Sequence, residues 1–177
     1  MNIKKPGHCE ISTKNDIRLF KKIIKFVESS GKCAEIGKEN IKMNYIKNYL
    51  GIKITQVDAQ DFNFNILKGS YDTIFCFEIL EHLQNPLWFM AQLKSILKHR
   101  GIIYLSMPCR PKLFWSKYHF FEMHPKHFQK WILNPLDLKI IKKKKIFFSF
   151  DGIGWHLIGI RPLLRLFYNY TIIYKIQ

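Results

Sequence analysis

Apolar positions along the chain follow two rhythms. "NDIRLFKKIIKFVESSG" carries Phe20, Ile23, Ile24 and Val27 at helical spacing, with Asn15 or Asp16 to cap it and Gly31 after its end. The same spacing returns in "NIKMNYIKNYLG" through Ile41, Tyr45, Ile46 and Tyr49, stopping at Gly51. It returns again in "NPLWFMAQLKSILKHRG", where Asn85 caps, Pro86 opens, Met90, Leu93 and Leu97 share a face and Gly101 terminates. Between these segments the rhythm shortens. "KCAEIG" breaks at Gly37, and "IKITQVD" alternates, is β-branched and ends at Asp58. "YDTIFCF" and "IIYLSMP" are nearly continuous apolar runs, the pattern of strands covered on both faces. Later, "HPKHFQKWIL" predicts a short helix and "TIIYKI" a closing strand. "LDLKIIKKKKIFFSF" predicts a strand pair, or one long strand with a lysine-rich break.

Strands therefore alternate with helices. The expected fold is α/β and Rossmann-like: a mostly parallel sheet with helices on both faces and an antiparallel C-terminal strand. A chain of 177 residues suits one domain with one sizeable core. Its 47% apolar and 24% charged residues are ordinary for a globular protein.

The formal charge of +16 is not ordinary, and a basic surface attracts nucleic acid or anionic lipid. The excess is nearly all lysine, however. Arginine, the better bidentate phosphate reader, occurs only at Arg18, Arg100, Arg110, Arg161 and Arg165. Ile, Asn, Phe and Tyr are also frequent, so the charge reads as a compositional bias and nucleic acid is not the favoured partner. The lysine run 142–145 is expected to be a solvated turn or an edge-strand guard. Cys9, Cys33, Cys76 and Cys109 are too scattered for a zinc or C-x-x-C redox site, and the last three sit in or beside apolar runs as buried thiols. There is no apolar segment of the roughly 18 residues that would cross a membrane, and no signal peptide at the start, so a cytoplasmic location is expected.

In open α/β sheets ligands bind beyond the C-terminal strand ends. Those ends read Glu35-Ile36-Gly37, then Asp58, then Phe77-Glu78, then Met107-Pro108-Cys109-Arg110. Carboxylates at three ends suit hydroxyl and amino groups, which need acceptors. A G-x-G-x-x-G fingerprint is absent. Gly37 still lets the backbone approach a ligand closely, and Asp58 lies about twenty residues on, the offset at which a carboxylate accepts from ribose hydroxyls. His119, Glu122, His124 and His127 cluster further along. His124 and His127 share a helix face without a third ligand at metal spacing, so no metal site is expected. His119 or Glu122 could serve as general base for an acceptor hydroxyl or amine.

Taken in order, "AEIG", "VDAQDF", "YDTIFCFEILEHLQNP" and "LKHRGIIYLSMP" resemble class I S-adenosylmethionine-dependent methyltransferases of the small methyltransferase-domain type. In that family the third element reads like "FDxIxxxEVLEHxxxP" and the fourth like "LKPGGxLxxSxP". The closing "YHFFEMHPKHFQKWI" is similar to the family's acceptor-side segment, and the resemblance covers roughly residues 31 to 130. It departs in the first motif, where Lys38, Glu39 and Asn40 replace further glycines, and in length, since one helix and strand at the sheet edge are expected to be missing.

The resemblance implies S-adenosylmethionine as cofactor and an unidentified methyl acceptor. Glu35 and Gly37 would flank its methionine part, Asp58 would hold the ribose and Asp61 would take part of the adenine side. Phe77, Glu78 and His82 would lie beside it. The expected organisation is a single domain, 1–177, with an N-terminal helical segment 1–30, a cofactor half 31–110 and an acceptor-side half 111–177. Two other classes stay open at this point. The "GKEN" turn suits a non-catalytic methyltransferase-like interaction module, and the charge suits a basic nucleic-acid or membrane-surface binder.

Overall fold

The computed structural model describes residues 21–37, 41–57, 68–110, 112, 115–147 and 170–177. Six strands form one sheet: β1 (Cys33–Ile36), β2 (Ile54–Val57), β3 (Tyr71–Phe77), β4 (Leu97–Cys109), β5 (Ile140–Phe147) and β6 (Tyr170–Ile176). Their spatial order is β2-β1-β3-β4-β6-β5. The first four run parallel, and β6 is antiparallel to both β4 and β5. Among the described residues, 21–24 are helical, and the helices that follow are α1 (Ile41–Leu50), α2 (Pro86–Ile96) and α3 (Pro125–Phe128), which runs on into a π-turn at Gln129–Leu133.

Side chains alternate across the sheet, so each face has its own core. Ile74 and Cys76 of β3, Ile103 and Leu105 of β4 and Ile172 and Tyr174 of β6 pack with Phe89, Met90 and Leu93 of α2 and with Phe128. Phe75, Tyr104 and Ile173 point the other way, onto Ile23, Ile24, Val27 and Ile46. Burial on both faces explains why β3 and β4 read as continuous apolar runs. The cysteines at 33, 76 and 109 are buried free thiols. Among the described residues no helix is long and apolar enough to cross a membrane.

Several boundaries differ from the sequence expectation. α2 does start as predicted, with Asn85 Oδ1 accepting from Trp88 N at 3.0 Å and Pro86 first in the helix. It ends at Ile96 rather than at Gly101, because Leu97 turns extended and pairs with Tyr71. The register then shifts before Thr73 meets Ile102, and Arg100 takes the left-handed φ of 64°. Gly101 is fixed by space instead: a Cβ there would lie 2.7 Å from Leu97 Cδ1 and 2.9 Å from the Lys98 carbonyl. Tyr49, expected on the buried face of α1, is 57% exposed, while Ile46 is fully covered. The lysine-rich segment is one strand, β5, at the sheet edge. Lys142 to Lys145 are exposed along it, which discourages a further strand from adding.

Gly31 carries a testable constraint. Its φ is +66°, and a Cβ would sit 2.4 Å from Asp72 Oδ2. Asp72 cannot easily give way, because it accepts from Lys32 N at 2.7 Å and Lys98 Nζ at 2.8 Å. Gly31→Ala is expected to destabilise the fold by about 1–3 kcal/mol. Scanning calorimetry of the two proteins checks this, and an unchanged midpoint would contradict it.

Candidate active site

The parallel strands end on a common rim, and two turns there are held in unusual backbone geometry. Gly37 follows β1 with φ +123°, a conformation natural to glycine. Its N–H donates to the Val57 carbonyl at 3.0 Å, and its own carbonyl accepts from the Gln56 side-chain amide. Among the described residues, a Cβ at Gly37 would meet Ile79 Cδ1, at 3.6 Å. The backbone rather than crowding therefore demands glycine, and the turn after β1 lies against the turn after β3.

That second turn begins at Glu78, a non-glycine residue at φ 53°. Such strain persists only where its surroundings hold it. Here Glu78 N–H donates to Ser106 O at 3.1 Å and to Ser106 Oγ at 3.2 Å, while Ser106 Oγ donates to Glu78 Oε1 at 2.7 Å. Ser106 is fully buried in β4, so the strand anchors the turn. Phe77 is half-buried, with its ring 6.0 Å from Phe75. Glu35 is buried within β1.

A short 3-10 turn, Leu80–His82, follows. It is joined to the segment 115–124 by two bonds: Phe120 N–H donates to the Glu81 carbonyl at 2.8 Å, and His82 Nδ1 meets the Tyr118 carbonyl at 3.1 Å. His119, between those two residues, sets its ring edge-on to His82 with centroids 4.7 Å apart. Its Nδ1 lies 2.8 Å from Glu122 Oε1, and Arg110 Nε lies 3.1 Å from Glu122 Oε2. Carbonyl and carboxylate oxygens only accept, so each imidazole carries a proton on Nδ1.

Electrostatics reinforce this picture. Burial pushes the Glu81 carboxyl well above the ordinary carboxylate range, and the nearby charges of Glu78 and Glu122 push it the same way. Burial lowers His119 from the usual imidazole value, against the opposing hydrogen bond to Glu122, so the ring is held neutral near pH 7. Burial also raises Cys76, which leaves that thiol unreactive.

The structure thus gathers His82, His119 and Glu122 into one cluster, with Glu35, Gly37, Phe77 and Glu78 on the same strand-end rim. Asp58 and Asp61 lie outside the described residues, as do Lys38, Glu39 and Asn40. His124 and His127 are used locally: His124 Nδ1 accepts from Lys126 N at 3.3 Å as the α3 cap, and His127 stacks on Trp131 at 4.3 Å. Two participants were not singled out from sequence: Ser106 reads as strand interior, and Arg110 as a strand-end cation without an assigned partner. Glu81 stands beside His82 in the motif "EILEHLQNP", where the pair reads either as lying by a ligand or as fixing the helix start.

Comparison with known proteins agrees with this geometry. The family described as "Methyltransferase domain" matches residues 5–141. A ubiquinone biosynthesis O-methyltransferase of Haemophilus ducreyi is 32% identical over 71 residues, covering 38% of this chain and 30% of that enzyme. The chain thus matches less than a third of the length of this relative. Among solved structures, an SAM-dependent methyltransferase from Archaeoglobus fulgidus superposes with a TM-score of 0.59 at 17% identity, over 92% of this chain and 93% of the other. Magnesium protoporphyrin IX methyltransferase from Synechocystis PCC 6803, solved with bound SAH, gives 0.54 at 12% identity, over 96% and 90%. At those identities the likeness is one of fold.

Proposed function

The chain belongs to the methyltransferase-domain family, and from that premise we propose that it transfers a methyl group from S-adenosylmethionine to a hydroxyl or amine presented at the His82–His119 cluster. The observation that carries this reading is the adjacency of the Gly37 turn, the strained Glu78 turn and the His82–His119 pair on one strand-end rim.

The residues fit the cofactor. Gly37 gives a turn whose missing side chain leaves an approach bounded, among the described residues, by Ile79. Glu35 and Gly37 would flank the methionine part, Asp58 the ribose and Asp61 the adenine side, with Phe77, Glu78 and His82 alongside. When bound, the cofactor supplies an activated methyl on a sulfonium, so the chain's work is positioning, water exclusion and removal of one proton. Glu122 fixes the His119 ring by its 2.8 Å bond, and Arg110 offsets the buried charge of Glu122. His119 Nε2 then faces the acceptor and takes its proton. In this reading 31–110 is the cofactor half and 111–177 the acceptor-side half. Buried free thiols at 33, 76 and 109 support a cytoplasmic setting.

Calorimetry with S-adenosylmethionine and with its demethylated product tests the reading. Saturable binding is expected, weakened about 10- to 100-fold by Asp58→Ala through loss of charge-assisted hydrogen bonds. An absence of binding at millimolar cofactor would sink it.

A further inference from the structure

We propose that Glu81, His82 and His119 form a divalent-cation site, of a kind suited to Zn²⁺ or Mn²⁺, on which the acceptor oxygen is held. The inference deepens the methyl-transfer reading and rests on it for the use of the metal, though not for its binding.

Each of the three residues offers a ligand atom within 4.8 Å of the other two. His82 Nε2 lies 4.0 Å from Glu81 Oε1. In a formed site, metal–ligand bonds of about 2.0–2.2 Å put neighbouring ligand atoms roughly 3–4 Å apart. Side-chain movement of about 1–2 Å closes the gap.

Four features make this a built site. First, both imidazoles are already oriented. The Tyr118 carbonyl holds His82 Nδ1 and the Glu122 carboxylate holds His119 Nδ1, which is the outer-shell bonding that turns a histidine's Nε2 lone pair toward a metal. Second, Glu81 is 1% exposed, and its buried Oε2 has no hydrogen-bond partner among the described residues. A buried carboxylate oxygen left in that condition is costly, and a cation satisfies it. Third, Glu78 lies three residues before Glu81, and Glu122 Oε1 lies 2.8 Å from His119 Nδ1. A chain with 29 basic and 13 acidic residues concentrates acidic groups here, against its own composition. Fourth, the His82 side chain is 44% exposed, so the cluster opens to solvent on one side. Structural metal sites are closed, whereas sites that take a substrate keep an open position. Two nitrogens and one carboxylate oxygen favour Zn²⁺ or Mn²⁺ over Mg²⁺ or Ca²⁺. With metal bound, His119 Nε2 is a ligand, and the cation rather than the free imidazole meets the acceptor oxygen.

The test uses the full chain without cofactor or acceptor, titrated with Zn²⁺ by calorimetry and with Mn²⁺ by the loss of its free paramagnetic resonance signal. One saturable site is expected. Glu81→Gln, His82→Ala and His119→Ala should each weaken it by at least about tenfold, and Glu122→Gln by about tenfold through an orienting bond that the uncharged amide makes more weakly. His127→Ala should leave it unchanged. The exposed position of His82 keeps its variant informative should the buried Glu81→Gln fail to fold, which circular dichroism reports. Lack of saturation at millimolar metal, or binding that survives both His82→Ala and His119→Ala, would overturn the proposal. Cofactor calorimetry on the same protein separates the two readings. Cofactor binding without metal binding removes the cation site alone, and metal binding without cofactor binding removes the methyl-transfer reading.

Discussion

His119→Ala is expected to lower methyl-transfer turnover by about 10²- to 10⁴-fold while leaving cofactor affinity within about threefold of the parent. The large kinetic effect follows from where the ring sits. Its Nδ1 is fixed by Glu122, its edge meets His82, and its Nε2 is the nitrogen left for chemistry, by proton transfer or by ligation. The small structural effect follows from how the segment is attached. The bonds joining residues 115–124 to the 3-10 turn come from the Phe120 N–H and the Tyr118 carbonyl, not from the imidazole of His119. Removing that ring leaves both bonds in place. Glu122→Gln should fall between the two, at about tenfold, because the amide still meets His119 but no longer offers Arg110 a charge. The measurement is release of demethylated cofactor with whichever phenol, catechol or amine supports turnover in a labelled-methyl screen. Parent-like turnover in a folded His119→Ala would remove the histidine from the chemistry.

How far the sequence foretold the site depends on the kind of contact. β3 and the core of β4 were legible because burial on both faces writes a continuous apolar run. The α2 start was legible because Asn85 and Pro86 act locally. The edge role of Lys142 to Lys145 was legible because charge on an outer strand has a simple purpose. The end of α2 was not: Gly101 looks like a stop, yet Leu97 leaves the helix earlier to pair with Tyr71, a contact set by the neighbouring strand. The meeting of His82 with His119 was not legible either. It depends on two backbone hydrogen bonds between distant segments, and no periodicity records those. Glu81 shows the same limit. Its sequence neighbours suggest a helix start, and only the fold shows that the carboxyl is sealed from solvent.

Phe75→Ala is expected to destabilise the protein by about 3–5 kcal/mol, the largest loss anticipated from a single core truncation here. β3 lies between β1 and β4, so its backbone is held on both sides, with Phe75 paired to Glu35 and to Tyr104. The ring is fully buried, stacks on Tyr104 at 5.9 Å and 19°, and packs against Ile23, Ile24 and Ile46 across the helical layer. A strand fixed on two edges cannot move inward to fill the vacated volume, so the cavity cost adds to the lost transfer energy. Phe77 does not compensate, since its ring lies at 6.0 Å along the same strand and is anchored by the turn at Glu78. For a chain of this size the thermal midpoint should fall by about 10 °C or more. Tyr49→Ala supplies the contrast. Sequence periodicity places Tyr49 on a buried face, but it is 57% exposed, and its removal should cost no more than about 0.5 kcal/mol. Thermal or urea unfolding of the two variants side by side decides the point. Comparable losses would mean that the helical layer over Phe75 is packed less tightly than the geometry requires, and that Tyr49 has a partner on α1's outer face.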